Sequence, residues 1–224
     1  MMKWFVSCTG IMVIMLLPLT VLSVEADLLD YFWPLEPGLV LHYESDGLDY
    51  PKGARKLHHT IRISEIRKAP GSGDVTVKTE EEFSGLGQQF MERFEYVLST
   101  QKSELRRIAS DENRTMLRGP LIVGASWPVV YQTGGDFEGK LIPERKVNAT
   151  CSITDIKTEE RLNKSTTCLW VACPVKFGRA SFIDNFCFCK GFGYFGTLVE
   201  EPNGKTFWQD RLISVIHPEG YRDK

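Results

Sequence analysis

Val147-Asn148-Ala149-Thr150-Cys151-Ser152-Ile153-Thr154 alternates apolar or small residues with polar ones along its whole length. Successive side chains of an extended chain point to opposite faces, so the stretch reads as a strand with one buried and one wetted face. The same period recurs upstream, where Phe90, Phe94, Tyr96 and Leu98 share one parity and Met91, Arg93, Glu95 and Ser99 take the other. Residues 39–45 run into the turn signal Asp46-Gly47. Ile61, Ile63 and Ile66 lead to the breaker Ala69-Pro70-Gly71-Ser72-Gly73, and Val75 and Val77 open another run. Shorter strands are expected at 104–108 and 127–131, with loops at Gly119-Pro120 and Gly134-Gly135. A β-prone run follows at 166–175. The last strand, 205–217, reads with Ile213 and Val215 on one face and Leu212 and Ile216 on the other. No segment carries a helical stripe, although residues 27–31 suit a short helix. The chain is therefore expected to be all-β, an antiparallel curved sheet forming a partly open barrel or a sandwich of about ten strands.

The amino end differs. Lys3, the apolar run through Ile11-Met12-Val13-Ile14-Met15-Leu16-Leu17 and the close Val24-Glu25-Ala26 form a secretory signal, with cleavage expected after Ala26. The rival reading is an uncleaved anchor; Pro18 and the Val24/Ala26 pair favour cleavage. Residues 27–224 would then be one all-β domain in an oxidising, extracytoplasmic compartment. No later stretch approaches the roughly 18 apolar residues of a membrane helix, so no span is expected once the signal is removed. A formal net charge of −2 gives no basic surface for nucleic acid. Asn113-Arg114-Thr115, Asn148-Ala149-Thr150 and Asn163-Lys164-Ser165 are glycosylation triplets, expected at the surface if the protein is a eukaryotic secreted one.

Three segments resemble a family of exported, mostly uncharacterised bacterial proteins. Tyr31-Phe32-Trp33-Pro34-Leu35-Glu36-Pro37-Gly38 and the strand after it resemble that family's Tyr-Phe-Pro-Leu opening, with Trp33 additional. Leu117-Arg118-Gly119-Pro120-Leu121-Ile122-Val123-Gly124-Ala125-Ser126-Trp127 is similar to its Pro-Leu-X-Val-Gly-X-X-Trp element. Phe188-Cys189-Lys190-Gly191-Phe192-Gly193-Tyr194-Phe195 is similar to its late Gly-X-Gly hairpin. The resemblance implies a curved antiparallel sheet or partly open barrel in the cell envelope, with no assigned reaction.

Cysteine offers the first candidate chemistry. After the leader the chain has Cys151, Cys168, Cys173, Cys187 and Cys189. Their spacings, Cys-x4-Cys and Cys-x-Cys, depart from zinc knuckles, and disulfides suit the compartment better. A hairpin turning at 177–180 sets Cys168 opposite Cys189. One centred at Leu162 sets Cys151 opposite Cys173. Cys168 and Cys173 are of opposite parity, so they join different bridges and Cys187 stays free. A nucleophilic Cys187 would need an activating His or Lys, and none is evident.

Other motifs lead nowhere. Gly191 to Gly196 matches G-x-G-x-x-G with Asp210 downstream, yet the phosphate site requires a helix and a strand follows, so the glycines serve curvature or bulges instead. Ser126 lacks the frame of a nucleophile elbow. His58 and His59 would face opposite ways, and Glu80-Glu81-Glu82 reads as a solvated strand end. The rings Phe182, Phe186, Phe188, Phe192, Tyr194, Phe195, Phe207 and Trp208 suit either core packing or a lined cavity. No cofactor and no catalytic or metal-binding residue is expected. The reading is a secreted or envelope binding or structural protein, with a hydrophobic small molecule or an envelope protein as partner. The alternatives are a lipocalin-like carrier and a secreted hydrolase whose groups meet only in three dimensions. The lining of the largest cavity separates these.

Overall fold

The computed structural model describes residues 28–47, 57–85, 88–109, 113–137, 140–177 and 180–219. The expected leader and its cleavage point after Ala26 lie outside them. A 3-10 turn over Leu28–Tyr31 precedes twelve strands. They are β1 (Val40–Gly47), β2 (Leu57–Lys68), β3 (Val75–Gly85), β4 (Gln88–Ser99), β5 (Glu104–Ile108) and β6 (Asn113–Arg118). Then come β7 (Ser126–Phe137), β8 (Lys140–Arg161), β9 (Lys164–Phe177), β10 (Ala180–Cys189), β11 (Gly193–Glu200) and β12 (Thr206–Ile216).

All twelve belong to one antiparallel sheet in the order β6-β5-β4-β3-β2-β1-β12-β11-β10-β9-β8-β7. Except for β6 with β7, each strand pairs with its sequence neighbours, and the first pairs with the last. The gap therefore falls in the middle of the chain, between β6 and β7. There the sheet nearly closes: the Trp127 indole N–H on β7 donates to the Thr115 carbonyl on β6 at 3.2 Å. Twelve strands enclose more space than about eight, whose interior side chains alone can fill, so this barrel has room for a cavity. Strand β6 was not expected as an element, because Asn113-Arg114-Thr115 is polar; its inward Met116 and Leu117 are buried.

Bulges correct two expectations. On β12, Leu212 is 3% exposed and Ile213 41%, while Val215 packs against the core and Ile216 is exposed. Ile213 and Val215 therefore do not share a face. The pairing of β1 with β12 skips from Ser214 to Leu212, and the extra residue reverses the parity beyond it. On β8 the turn sits at Leu162-Asn163, both with positive φ, as a two-residue hairpin turn demands. That lies half a residue beyond a centre at Leu162. The register shift between Ile153 and Asp155 gives the residue back, so Ser152 still faces Ala172.

The 3-10 turn and the segment after it fold under one end of the sheet. Leu28, Tyr31, Phe32 and Trp33 are buried, and the Gly191 N–H donates to the Asp30 carbonyl at 2.9 Å. A Cβ on Gly193, whose φ is +74°, would lie 2.5 Å from the Trp33 nitrogen, so only glycine lets the hairpin approach this closely. The expected curvature role of the glycines holds at Gly196 too, where a Cβ would meet the Asp210 carbonyl at 2.1 Å beside the β10–β11 bulge.

Candidate functional site

A cavity of about 330 Å³ lies inside the barrel. Phe32 and Trp33 form part of its lining, with Tyr96, Phe186, Phe188, Tyr194 and Trp208 around it and Phe83 and Phe90 toward its mouth. Phe90 shares the inward parity of Phe94, Tyr96 and Leu98, yet it is 50% exposed, because β4 begins at the open end.

One row of rings crosses four strands from that mouth into the interior. Phe90 stacks on Phe83 at 4.9 Å, Phe83 on His59 at 4.2 Å, and His59 on Tyr43 at 5.3 Å. The reason is register: Phe83 faces Phe90, His59 faces Phe83, and Tyr43 faces His59 across successive ladders. Tyr43 stacks in turn on Tyr194, whose carbonyl accepts from the Tyr43 hydroxyl at 2.8 Å.

The cavity is not purely apolar. Glu81, expected at a solvated strand end, is 1% exposed. Strand alternation is the reason: Val75, Val77, Thr79 and Glu81 share the inward parity of β3. Its carboxylate accepts from Tyr96 at 2.8 Å, Thr79 at 3.1 Å and His59 Nε2 at 3.0 Å, with an Arg107 nitrogen at 3.8 Å. Burial by itself would raise its pKa, but His59, Arg107 and Tyr96 outweigh burial and hold it below the ordinary glutamate range. His59 is thus a buried, paired residue and not an exposed strand histidine, while His58 faces outward as its parity requires.

Asp210 on β12 is a second buried carboxylate in the lining, 8% exposed. It accepts from the Ser45 hydroxyl at 2.8 Å and from Tyr194 at 3.4 Å. Burial dominates here, and the carboxyl titrates above the ordinary aspartate value. Asp184 behaves likewise: burial raises it against the Arg114 charge and hydrogen bonds from Thr197 and Tyr131. The Arg114 guanidinium lies over the Tyr131 and Phe186 rings.

Of the ring cluster noted in the sequence, Phe186, Phe188, Tyr194 and Trp208 line the cavity, whereas Phe192 and Phe195 pack edge to face with each other. The side chain of Phe207 lies outside the described residues. The cysteines lie on β8, β9 and β10. Cys151 and Cys173 are bonded, with Cα atoms 4.1 Å apart, and so are Cys168 and Cys189, at 4.1 Å. Cys187 keeps a buried thiol 3.6 Å from the Cys189 sulfur. Burial, only partly opposed by Arg161, pushes that thiol up to about 12, which leaves almost no nucleophilic thiolate. Cys168, Cys187 and Cys189 group their sulfurs within 4.8 Å, but two of the three are joined to each other. Asn113, Asn148 and Asn163 are all exposed. Ser126 is exposed at the start of β7, with no helix after it.

Fold and cavity together define a nearly closed, twelve-stranded up-and-down barrel with a ring-lined, partly charged interior. No protein-family model and no curated protein sequence matches the chain. Two solved structures do match its fold. One, from Bacteroides fragilis, is provisionally described as an exported protein with a YmcC-like fold. It has a TM-score of 0.56 at 8% identity and covers 83% of this chain and 98% of its own. The other, from Parabacteroides distasonis, is provisionally described as a lipoprotein. Its TM-score is 0.58 at 9% identity, with the same coverages. The likeness is one of fold, and it agrees with the partly open barrel that the motif resemblance implied.

Proposed function

We propose that this chain is an exported, non-enzymatic binding protein that takes a hydrophobic small molecule into its barrel. The cavity carries the reading: a packed structural barrel has no need of a ring-lined space of about 330 Å³ with Phe90 exposed at its mouth. Export rests on the signal-like residues 1–26, with cleavage after Ala26 leaving a single domain over 27–224. The cross-links Cys151–Cys173 and Cys168–Cys189, the exposed sequons at Asn113, Asn148 and Asn163, and the descriptions of the two structural neighbours agree with an extracytoplasmic place. A lipocalin-like carrier is the weaker version, since its cup is closed and apolar whereas this lining contains Glu81, Asp210, Arg107 and Arg114.

The hydrolase alternative has one observation in its favour. Glu81 is held below and Asp210 above the ordinary carboxyl range in one cavity, a separation that acid–base pairs exploit. Glu81 is, however, fully engaged by its partners.

Native mass spectrometry of the purified protein, with solvent extraction, tests the binding reading. It should find a co-purifying apolar molecule, or uptake of an apolar fluorescent probe once the protein is stripped. Phe90→Ser, at the mouth, should weaken probe binding about 10-fold, roughly the effect of losing one ring contact. Absence of both ligand and probe binding would overturn the proposal, and turnover of a model ester or glycoside that is lost in Asp210→Asn would replace it with the enzyme.

A further inference from the structure

The buried charges of the cavity do not balance, and the imbalance sits at one residue. Glu81 has His59 at 3.0 Å and Arg107 at 3.8 Å. Asp184 has the Arg114 charge acting on it. Asp210 has only neutral donors in contact, the Ser45 hydroxyl at 2.8 Å, the Tyr194 hydroxyl at 3.4 Å and the backbone N–H of Arg211, and the His59 charge that acts on it from farther off belongs to a ring already paired with Glu81. No cationic side chain lies within ion-pair distance of it among the described residues. Its neighbour Arg211 points away, to Glu44 at 3.0 Å. The Tyr194 contact is long for an O–H donor, so the second carboxylate oxygen retains capacity to accept.

What surrounds Asp210 is aromatic. Tyr194, Phe188, Trp208 and His59 line the same cavity. A carboxylate taken out of water without a counter-charge is costly, and a cation supplied from outside removes that cost. Ring faces attract a cation as well, most strongly where water is excluded. On the reading that the cavity binds a hydrophobic molecule, we propose that the occupant is a hydrophobic amine or ammonium, its tail among the mouth rings and its positive head against Asp210.

In the acidic range where Asp210 titrates, an entering cation would favour its ionised form and release a proton. The other titratable groups acting on Asp210 are Tyr43 of β1, His59 of β2 and Tyr194 of β11. Burial lifts both tyrosines well above their usual range, so neither releases a proton near neutral pH.

Displacement of a bound apolar dye at neutral pH, below micelle formation, would compare three probes of one chain length: dodecyltrimethylammonium, dodecanol and dodecanoate. The ammonium should bind at least ~10-fold more tightly than either of the others. Asp210→Asn should abolish that preference, so that the ammonium and dodecanol then bind alike. Calorimetry on the unaltered protein from acid to neutral pH, in buffers of different ionisation heat, should record a pH window of proton release with the ammonium and none with dodecanol, which tests the idea even if the variant fails to fold. Tightest binding of dodecanoate would assign the charge recognition to Arg107 and Arg114 and overturn the inference. So would equal binding of ammonium and dodecanol, or an ammonium preference that survives Asp210→Asn; in each case the apolar-binding function would stand. Failure of all three probes would overturn that function too.

Discussion

The wall built from β8, β9 and β10 and the wall built from β1 to β4 use the same alternation of inward and outward residues, yet they bury different things. In the first, Ile153, Leu169, Val171, Val175 and Phe188 are buried beside two covalent cross-links, and the one thiol left over is inert. In the second, the inward positions include His59, Thr79 and Glu81, held by hydrogen bonds and stacked rings up to an exposed phenylalanine. Apolar burial and cross-links stabilise irrespective of partner. Buried ionised groups stabilise only while every partner stays in place. The cross-linked wall is thus suited to rigidity, and the ring-and-carboxylate wall to exchange of contacts with an occupant.

Breaking the polar wall should have the larger effect. Glu81→Ala removes the acceptor of Tyr96, Thr79, His59 and Arg107 together, and denaturant unfolding should register a loss of about 3–5 kcal/mol, as for one partner deleted from a buried ion pair. Its carboxyl is held below the ordinary value, so this stabilisation is complete above the unfolded-state pKa and fades as pH falls through the folded one. The gap between parent and variant should therefore narrow in acid. A gap independent of pH would mean that lost packing, and not charge, explains it.

Breaking the cross-linked wall should cost less. Replacing Cys151 and Cys173 together with Ala opens a loop of 22 residues and should lower stability by about 3 kcal/mol. Probe binding at 25 °C should be unchanged, because neither cysteine lines the cavity. Peptide mapping without reductant checks the pairing itself, and any peptide linking Cys187 within the monomer would contradict it.

The smallest effect should have the opposite sign. The folded state holds the Asp210 proton more tightly than the unfolded chain, so stability is greatest below the ordinary aspartate pKa and declines as pH rises through the raised value. Asp210→Asn keeps an acceptor for Ser45 and removes that decline. Thermal unfolding should show it more stable by about 1–2 kcal/mol at neutral pH, with the gain vanishing in acid. A loss of stability at neutral pH would show that the carboxylate is already compensated.

Where side chains simply alternate, these walls could be read from the linear chain. Phe94, Tyr96 and Leu98, or Cys151 and Ile153, needed only a period of two to be placed inside, and the hairpin pairing that sets Cys168 against Cys189 needed only a turn position. The same rule applied to Val75, Val77 and Thr79 also reaches Glu81, whose charge hid its place. Ile213 escaped because a bulge is one residue long and leaves no mark on composition. The convergence of Glu81, Asp210 and His59 on one cavity was decided by tertiary structure alone. They come from β3, β12 and β2, and they meet because the first strand pairs with the last and the sheet curls until β6 approaches β7. Local sequence sets which face a residue takes, since that depends on its neighbours' pleat. Which faces look at one another depends on the closure of the whole sheet, and that is a property of no single strand.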